Sequence, residues 1–361
     1  MKIAFVIPEI TGKGGVEKVT QLLSDAFARQ GIDVTVISLF RNNQNYYFPL
    51  SENVECSFMV NEIYDNNKVN KLKKIKLLFK SRSSLKSYLQ NNKFDLIIAQ
   101  TALPAFLLLS LGYRKNTIVC EHYKYELYSG VITKLRDIVY SKLLKVITLT
   151  EADAIKYKSK GINAVTIPNM TSFPINQPKG KDSKRIISVG RLSNQKGYDL
   201  LVEAYKKVKL KHPDWKVDIF GDGELYTFLT NMTKEADVDD VIHFKGSTSK
   251  VREELCDSAI YVMSSRFEGF PMVLLEAMSC GLPIISFSCP EGPAELLINN
   301  SGILVKSEDT DGLALAINDL IENEELRNEL SKNAIKEIKK YSPENIISKW
   351  MDLFKLLNLM K

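Results

Sequence analysis

The sequence predicts two doubly wound α/β domains built on parallel sheets, and three observations carry that reading. The chain has 361 residues, more than the roughly 250 to 300 at which one hydrophobic core stops growing. Short continuous apolar runs alternate with helical periodicity along its length, the pattern of βαβ units whose sheets are covered on both faces. The pattern stops after Ile167-Pro168-Asn169 and restarts at Arg185.

In the first half, Lys2 to Ile7, Val34 to Leu39, Leu96 to Ala99, Thr117 to Glu121 and Val146 to Leu149 read as strands. Met170 to Lys184 is polar and carries prolines, as a linker does. The second half supplies Arg185 to Val189, Lys216 to Phe220, Val241 to Phe244, Ile260 to Met263, Pro283 to Phe287 and Gly302 to Val305. Pro343 to Met360 is helical and carries Ile346, Ile347, Trp350, Leu353 and Phe354, more apolar surface than a tail needs, so it packs back on the body. The expected domains are therefore 1–169 with 343–361 crossing back, a linker 170–184, and 185–342. They face each other across a cleft, with ligand at the carboxyl ends of the strands.

Composition sets the class. With 45% hydrophobic and 25% charged residues, the chain is globular and not disordered or fibrous. No apolar run reaches the roughly 20 residues that span a bilayer, and Met1 to Pro8 is too short for a signal-peptide core. Cys56, Cys120, Cys256, Cys280 and Cys289 are scattered, odd in number and without a C-x-x-C pair, which suggests neither a disulfide framework nor a zinc site and fits a reducing cytoplasm. Asp237-x-Asp239-Asp240 lacks a convergent partner, so no metal site is expected.

The chemistry concentrates in three turns. After the first strand, Gly12-Lys13-Gly14-Gly15 opens a helix. It is not the fingerprint G-x-G-x-x-G, because Glu17 stands three after Gly14, but glycines at a helix start let backbone amides approach an anion. After the first strand of the second half, Gly190-Arg191 and Lys196-Gly197 put a guanidinium fork and a point charge on one loop, as a diphosphate requires. The third runs from Glu268 through Gly269, Phe270 and Pro271 into a helix beginning near Met272 and Val273, whose free amides suit an anion, with Glu276 inside the helix placed to accept ribose hydroxyls.

Together Gly190-Arg191, Lys196-Gly197, Glu268 and Glu276 with seven residues between them, and Ala277-Met278-Ser279-Cys280-Gly281-Leu282-Pro283 resemble the large family of retaining GT-B glycosyltransferases, group 1, of bacterial surface polysaccharides. The resemblance implies a role for each residue. Arg191 and Lys196 neutralise the donor diphosphate, Glu276 holds the ribose, and Glu268 with the Gly269 to Met272 backbone touches the sugar. Gly14 and Gly15 mark the turn of the first domain, with Gly15 facing the phosphates, and His122 stands at the reaction centre. No metal or organic cofactor is implied, so the leaving diphosphate is met by Arg191, Lys196 and helix ends.

The expected activity is transfer of a hexose or N-acetylhexosamine from a nucleotide sugar, a UDP-sugar above all, to a glycan or lipid-linked acceptor. A GT-B nucleotide-sugar epimerase and a non-catalytic nucleotide-sugar-binding subunit are the alternatives. Between Lys68 and Lys86 there are eight basic residues and no acidic one. Lys71, Lys73, Lys74, Lys76 and Lys80 interleave there with Leu72, Ile75, Leu77 and Phe79, a basic flank beside an apolar stripe. Such a helix suits an anionic membrane surface, the inner face of the cell membrane for a cytoplasmic chain. Nucleic acid is not expected, because no stacking platform accompanies the charge.

Overall fold

A computed structural model describes residues 1–63, 71–176, 180, 182–289 and 292–360. Packing divides the chain into two units, Met1–Met170 with Pro343–Lys361, and Thr171–Ser342.

Unit 1 is built on β1 (Lys2–Glu9), β2 (Asp33–Phe40), β3 (Val54–Phe58), β4 (Leu96–Gln100), β5 (Thr117–Cys120), β6 (Lys145–Thr148) and β7 (Ala164–Thr166). The sheet runs β3-β2-β1-β4-β5-β6-β7, parallel throughout. Its helices are α1 (Gly15–Arg29), α2 (Lys71–Asn91), α3 (Ala102–Ser110), α4 (Val131–Tyr140) and α5 (Glu151–Ser159). Parallel neighbours require right-handed crossovers, so α1, which leads left to β2, covers one face, while α2 to α5, which lead right, cover the other. On the second face Leu85, Leu107, Leu108, Val139 and Tyr157 share one core with Val6 and Ile97. On the first, Phe27 of α1 lies 5.7 Å from the Phe5 ring, 5.5 Å from Trp350 and 5.3 Å from Phe354. The last two belong to the C-terminal helix Pro343–Leu356, which thus closes unit 1 from the far end of the chain.

Strands β3 and β7 were not foreseen. Both are edge strands, paired on one side only, where short or half-polar runs such as Val54-Glu55-Cys56-Ser57-Phe58 and Ala164-Val165-Thr166 suffice.

Unit 2 repeats the scheme with β8 (Arg185–Val189), β9 (Lys216–Phe220), β10 (Ile242–Gly246), β11 (Ile260–Met263), β12 (Ile284–Phe287) and β13 (Ile303–Val305) in the order β10-β9-β8-β11-β12-β13. Its helices are α6 (Tyr198–Lys211), α7 (Tyr226–Glu235), α8 (Val251–Cys256), α9 (Met272–Ser279), α10 (Gly292–Leu296), α11 (Thr310–Glu322) and α12 (Glu324–Ile338).

Two expectations need correction. The stretch read as a free linker is part of unit 2: Thr171 Oγ1 lies 2.6 Å from Ser279 Oγ, Asn176 N–H donates to Ser279 O, and Gly180 N–H donates to Cys256 O. The hydroxyls of Thr171 and Ser172 bond α9, whereas Asn176 and Gly180 are held to α9 and α8 by their backbone amides. The apolar residues of α2 form two stripes rather than one. Leu77, Leu85 and Leu89 are buried, whereas Leu72, Ile75 and Phe79 are 73%, 51% and 69% exposed. Lys68 lies outside the described residues. Distant in sequence, the free thiols of Cys256 and Cys280 stand 2.9 Å apart in the unit 2 interior.

Trp350 is 2% exposed. Trp350→Ala should therefore cost about 3 to 5 kcal/mol of unit 1 stability, read by chemical denaturation. A loss within about 0.5 kcal/mol, the range of ordinary surface substitutions, would show that the terminal helix does not secure this unit.

Candidate active site

In each unit the strand order reverses between the first strand and the one that follows on its other side. Chains leaving those two carboxyl ends diverge to opposite faces and leave a crevice.

In unit 2 the reversal lies between β8 and β11, and the loops that follow them are stitched together. Arg266 N–H donates to Gln195 O at 2.8 Å, Ser264 Oγ to Lys196 O at 3.0 Å, and Gln195 Nε2 to Phe267 O at 3.1 Å. The Arg266 guanidinium is gripped by both carboxylate oxygens of Asp199 at 2.9 and 2.6 Å and also donates to Asn194 O. Gly197 makes this approach available. Its φ is +62°, and a Cβ there would sit 2.0 Å from Ser264 O.

The stitching brings Lys196 Nζ to 2.6 Å from Glu268 Oε1, an oxygen that also accepts from Ser265 Oγ at 2.7 Å. Glu268 is buried, and a buried carboxylate persists only when paired and hydrogen-bonded in this way. Arg191, one turn earlier on the β8 loop, is exposed. From Glu268 the chain passes through Gly269, then Phe270, which is buried 5.9 Å from the Tyr341 ring, to Pro271, the N-cap of α9. Leu274 N–H bonds Pro271 O, so Met272 and Val273 supply first-turn amides with no carbonyl of the same helix to receive them. Glu276 is buried one turn in and accepts from Ser172 Oγ at 3.0 Å.

Arg191, Lys196, Glu268, Gly269 to Val273 and Glu276 thus all fall on two loops and one helix of unit 2. Sequence reading missed their supports. Ser265 and Ser172 were given no role, and the Asp199–Arg266 clamp pairs the first turn of α6 with the β11 loop.

In unit 1 the reversal lies between β1 and β4. Gly14 and Gly15 follow β1, and His122 follows β5 one strand further on. The Gly14 face is already filled, since a Cβ there would meet the Glu17 carboxylate at 2.4 Å, whereas nothing lies within 4 Å of one built on Gly15. His122 Nε2 is hydrogen-bonded to Gln100 Oε1. Burial pushes the imidazole down to about 4, so the ring is neutral at pH 7. Beneath it, Glu121 accepts from Tyr140 Oη at 2.6 Å and from Tyr123 N–H at 3.2 Å, and burial holds its carboxyl above the usual range. Buried Arg136 packs 4.3 Å from the Tyr125 ring and 5.0 Å from that of Tyr157.

The end of β4 was not singled out by sequence. Gln100 is fully buried, and its Nε2 has no hydrogen-bond partner among the described residues. Thr101 has φ +79° and ψ 177°, a region otherwise left to glycine. Strain of about 1 to 3 kcal/mol at such a position persists only where surrounding structure enforces it, as at ligand sites.

Two doubly wound units in one chain, each with a crevice at its reversal point, are the parts of a GT-B fold. Residues 170–337 match the family model for glycosyl transferases group 1, and residues 13–171 match that for Glycosyltransferase Family 4. An uncharacterized glycosyltransferase of Haemophilus influenzae is 31% identical over 97% of this chain and 98% of its own. The amylovoran biosynthesis glycosyltransferase AmsD of Erwinia amylovora is 28% identical over 98% and 99%. A crystal structure of a mutant of S. aureus TarM, in complex with fondaparinux, alpha-GlcNAc-glycerol and UDP, superposes with TM-score 0.82 over 98% of this chain and all of that one, at 18% identity. The chain belongs to the group 1 glycosyltransferases of the GT-B fold and is an enzyme of glycosyl transfer.

A neutral His122 yields a direct test. Its imidazole should titrate near pH 4 by NMR, and Gln100→Glu should raise that value, because a carboxylate beside the ring favours the charged form. An unshifted titration in Gln100→Glu would remove the Gln100–His122 contact from the site.

Proposed function

We propose that this enzyme transfers a hexose or N-acetylhexosamine from a UDP-sugar to a lipid-linked or polysaccharide acceptor, with retention of anomeric configuration. The observation that carries the proposal is the Lys196–Glu268 pair at the reversal point of unit 2, with Arg191 on the same loop and the first-turn amides of α9 beyond Glu268. It joins a cation for phosphate to a carboxylate for sugar hydroxyls. Support for UDP and for an α-linked product comes from the TarM complex, which holds UDP together with alpha-GlcNAc-glycerol.

On this reading Glu276 accepts the ribose hydroxyls. Lys196 exchanges Glu268 for a phosphate oxygen, which leaves Glu268 and the Gly269 to Val273 backbone to the sugar. The bond from the anomeric carbon to the phosphate oxygen breaks while the acceptor oxygen bonds to the same face of that carbon. The acceptor proton passes to the departing phosphate oxygen, and Arg191 with Lys196 stabilises the charge that gathers on the diphosphate. Neutral His122 can donate or accept a hydrogen bond on the acceptor side without adding charge. The open face of Gly15 is where a ligand, and no protein atom, asks for glycine. An epimerase or a binding subunit would form no glycoside.

Arg191→Ala should leave the melting temperature unchanged and cost about 2 to 4 kcal/mol in transition-state stabilisation, read as kcat/KM for UDP release and glycoside formation. Lys196→Ala should lose turnover and also about 3 to 5 kcal/mol of stability, because Glu268 is left buried without its partner. Wild-type kcat/KM in Arg191→Ala would sink the diphosphate grip. Since the leaving group is neutralised here by side chains and amides, EDTA should leave turnover intact, and abolition with rescue by manganese would overturn that part. The coupling constant of the product's anomeric proton tests retention, and inversion relative to the donor would refute it.

A further inference from the structure

Helix α4 shows solvent an apolar face. Val131 is 71% exposed, Ile132 58%, Leu135 49% and Ile138 52%. Val131, Leu135 and Ile138 fall at i, i+4 and i+7, one stripe along the helix, while Arg136, Val139 and Tyr140 on the other side are buried. A helix anchored by one face ordinarily gives water a polar face. Here the second face is apolar as well, and Lys134 and Lys142 are exposed beside it.

The first half of α2 repeats the arrangement. Exposed Leu72, Ile75 and Phe79 stand at i, i+3 and i+7, interleaved with exposed Lys73, Lys74, Lys76 and Lys80. Between the two lies α3, tied to α2 by Arg82 Nε to Ser110 Oγ and Nη2 to Ser110 O, both at 3.1 Å. Its Leu103 and Phe106 are half-buried. All three helices cover the same face of the sheet, and each begins at the edge formed by the C-terminal ends of the strands. The exposed apolar residues of α2 lie in its first half, and those of α4 run along its length from Val131 to Ile138.

Charge decides what this face fits. No Asp or Glu occurs in α2, and Glu62, from outside the helix, pairs with its exposed Lys80 at 2.6 Å. The sole acid of α4, Asp137, is engaged by Arg136 at 2.9 Å and by Tyr125 Oη at 2.7 Å. A second copy of the chain meeting this surface about a two-fold axis would set lysines against lysines. An anionic lipid surface answers both features, since apolar side chains enter the headgroup boundary while long lysine stems carry their charge to the lipid phosphates.

We propose that the α2–α3–α4 face of unit 1 docks on the surface of an anionic phospholipid bilayer. The inference rests on this surface alone and stands or falls apart from the transfer chemistry. Sedimentation of the full chain with vesicles tests it. The protein should pellet with vesicles of phosphatidylglycerol and phosphatidylcholine, not with phosphatidylcholine alone, and should be released by salt. Leu135→Ser with Ile138→Ser removes apolar insertion, and Lys134→Glu with Lys142→Glu reverses charge. All four side chains lie at the surface, so melting should be unchanged, and each pair should weaken binding about tenfold or more. A Leu72→Ser, Phe79→Ser pair should act likewise on α2. The proposal fails if the wild type does not pellet, pellets equally with neutral vesicles, or is matched in binding by these variants. It also fails if light scattering shows a dimer that the α4 variants separate, which would make the stripe a contact between copies.

Discussion

Parallel pairing is the constraint from which the rest follows. A parallel neighbour cannot be reached by a tight turn, so each strand must be followed by a crossover over one face before the next begins. In both units this gathers every strand-to-helix loop at one edge of the sheet, and the reversal beside β1 and beside β8 opens a gap between loops turning opposite ways. The functional loops therefore owe their location to topology, before any side chain on them is considered.

Within that gap, unit 2 spends its polar groups on rigidity. Asp199, Arg266, Ser264 and Gln195 fasten the β8 loop and the first turn of α6 to the β11 loop. Only with the loops fastened can Lys196 and Glu268 lie 2.6 Å apart in a largely buried setting. Two charges so placed lose hydration, and their attraction offsets the loss only while both are present. The pair is consequently a stable resting arrangement, and a ligand that brings its own phosphate and hydroxyls can divide it, one partner for each group. The fastened loops thus keep Lys196 and Glu268 in register with each other.

Unit 1 is organised differently. Its polar groups form a layer beneath the edge, in which Glu121, Tyr140 and Arg136 are buried and bonded, fixing the backbone from which His122 projects. Gln100 bonds the imidazole by its oxygen and leaves its nitrogen unpartnered among the described residues, beside a Thr101 held in a left-handed conformation. An orphaned donor and a strained backbone at one strand end are costs a merely structural edge would shed. The imidazole bonded there is neutral, because burial disfavours its charged form.

Much of this was legible in the sequence, because buried parallel strands must be nearly all apolar and helices over them must be amphipathic. The main strands, the helix starting at Gly15, the terminal helix with Trp350 and Phe354, and the spacing of Glu268 from Glu276 all leave that imprint on local order. Edge strands β3 and β7 left little, since half their bonding surface needs no apolar cover. The polarity of Thr171 and Ser172 read as a linker because periodicity records whether a residue is buried by its own element, not which distant carboxylate or hydroxyl will satisfy it. The α2 stripe was visible as apolar residues among lysines, yet a helical pattern does not say which of two apolar faces meets the core. That choice, the exposed face of α4, the Asp199–Arg266 clamp and the placing of Gln100 beneath His122 were decided by tertiary structure alone, because each depends on residues that only the strand order brings together.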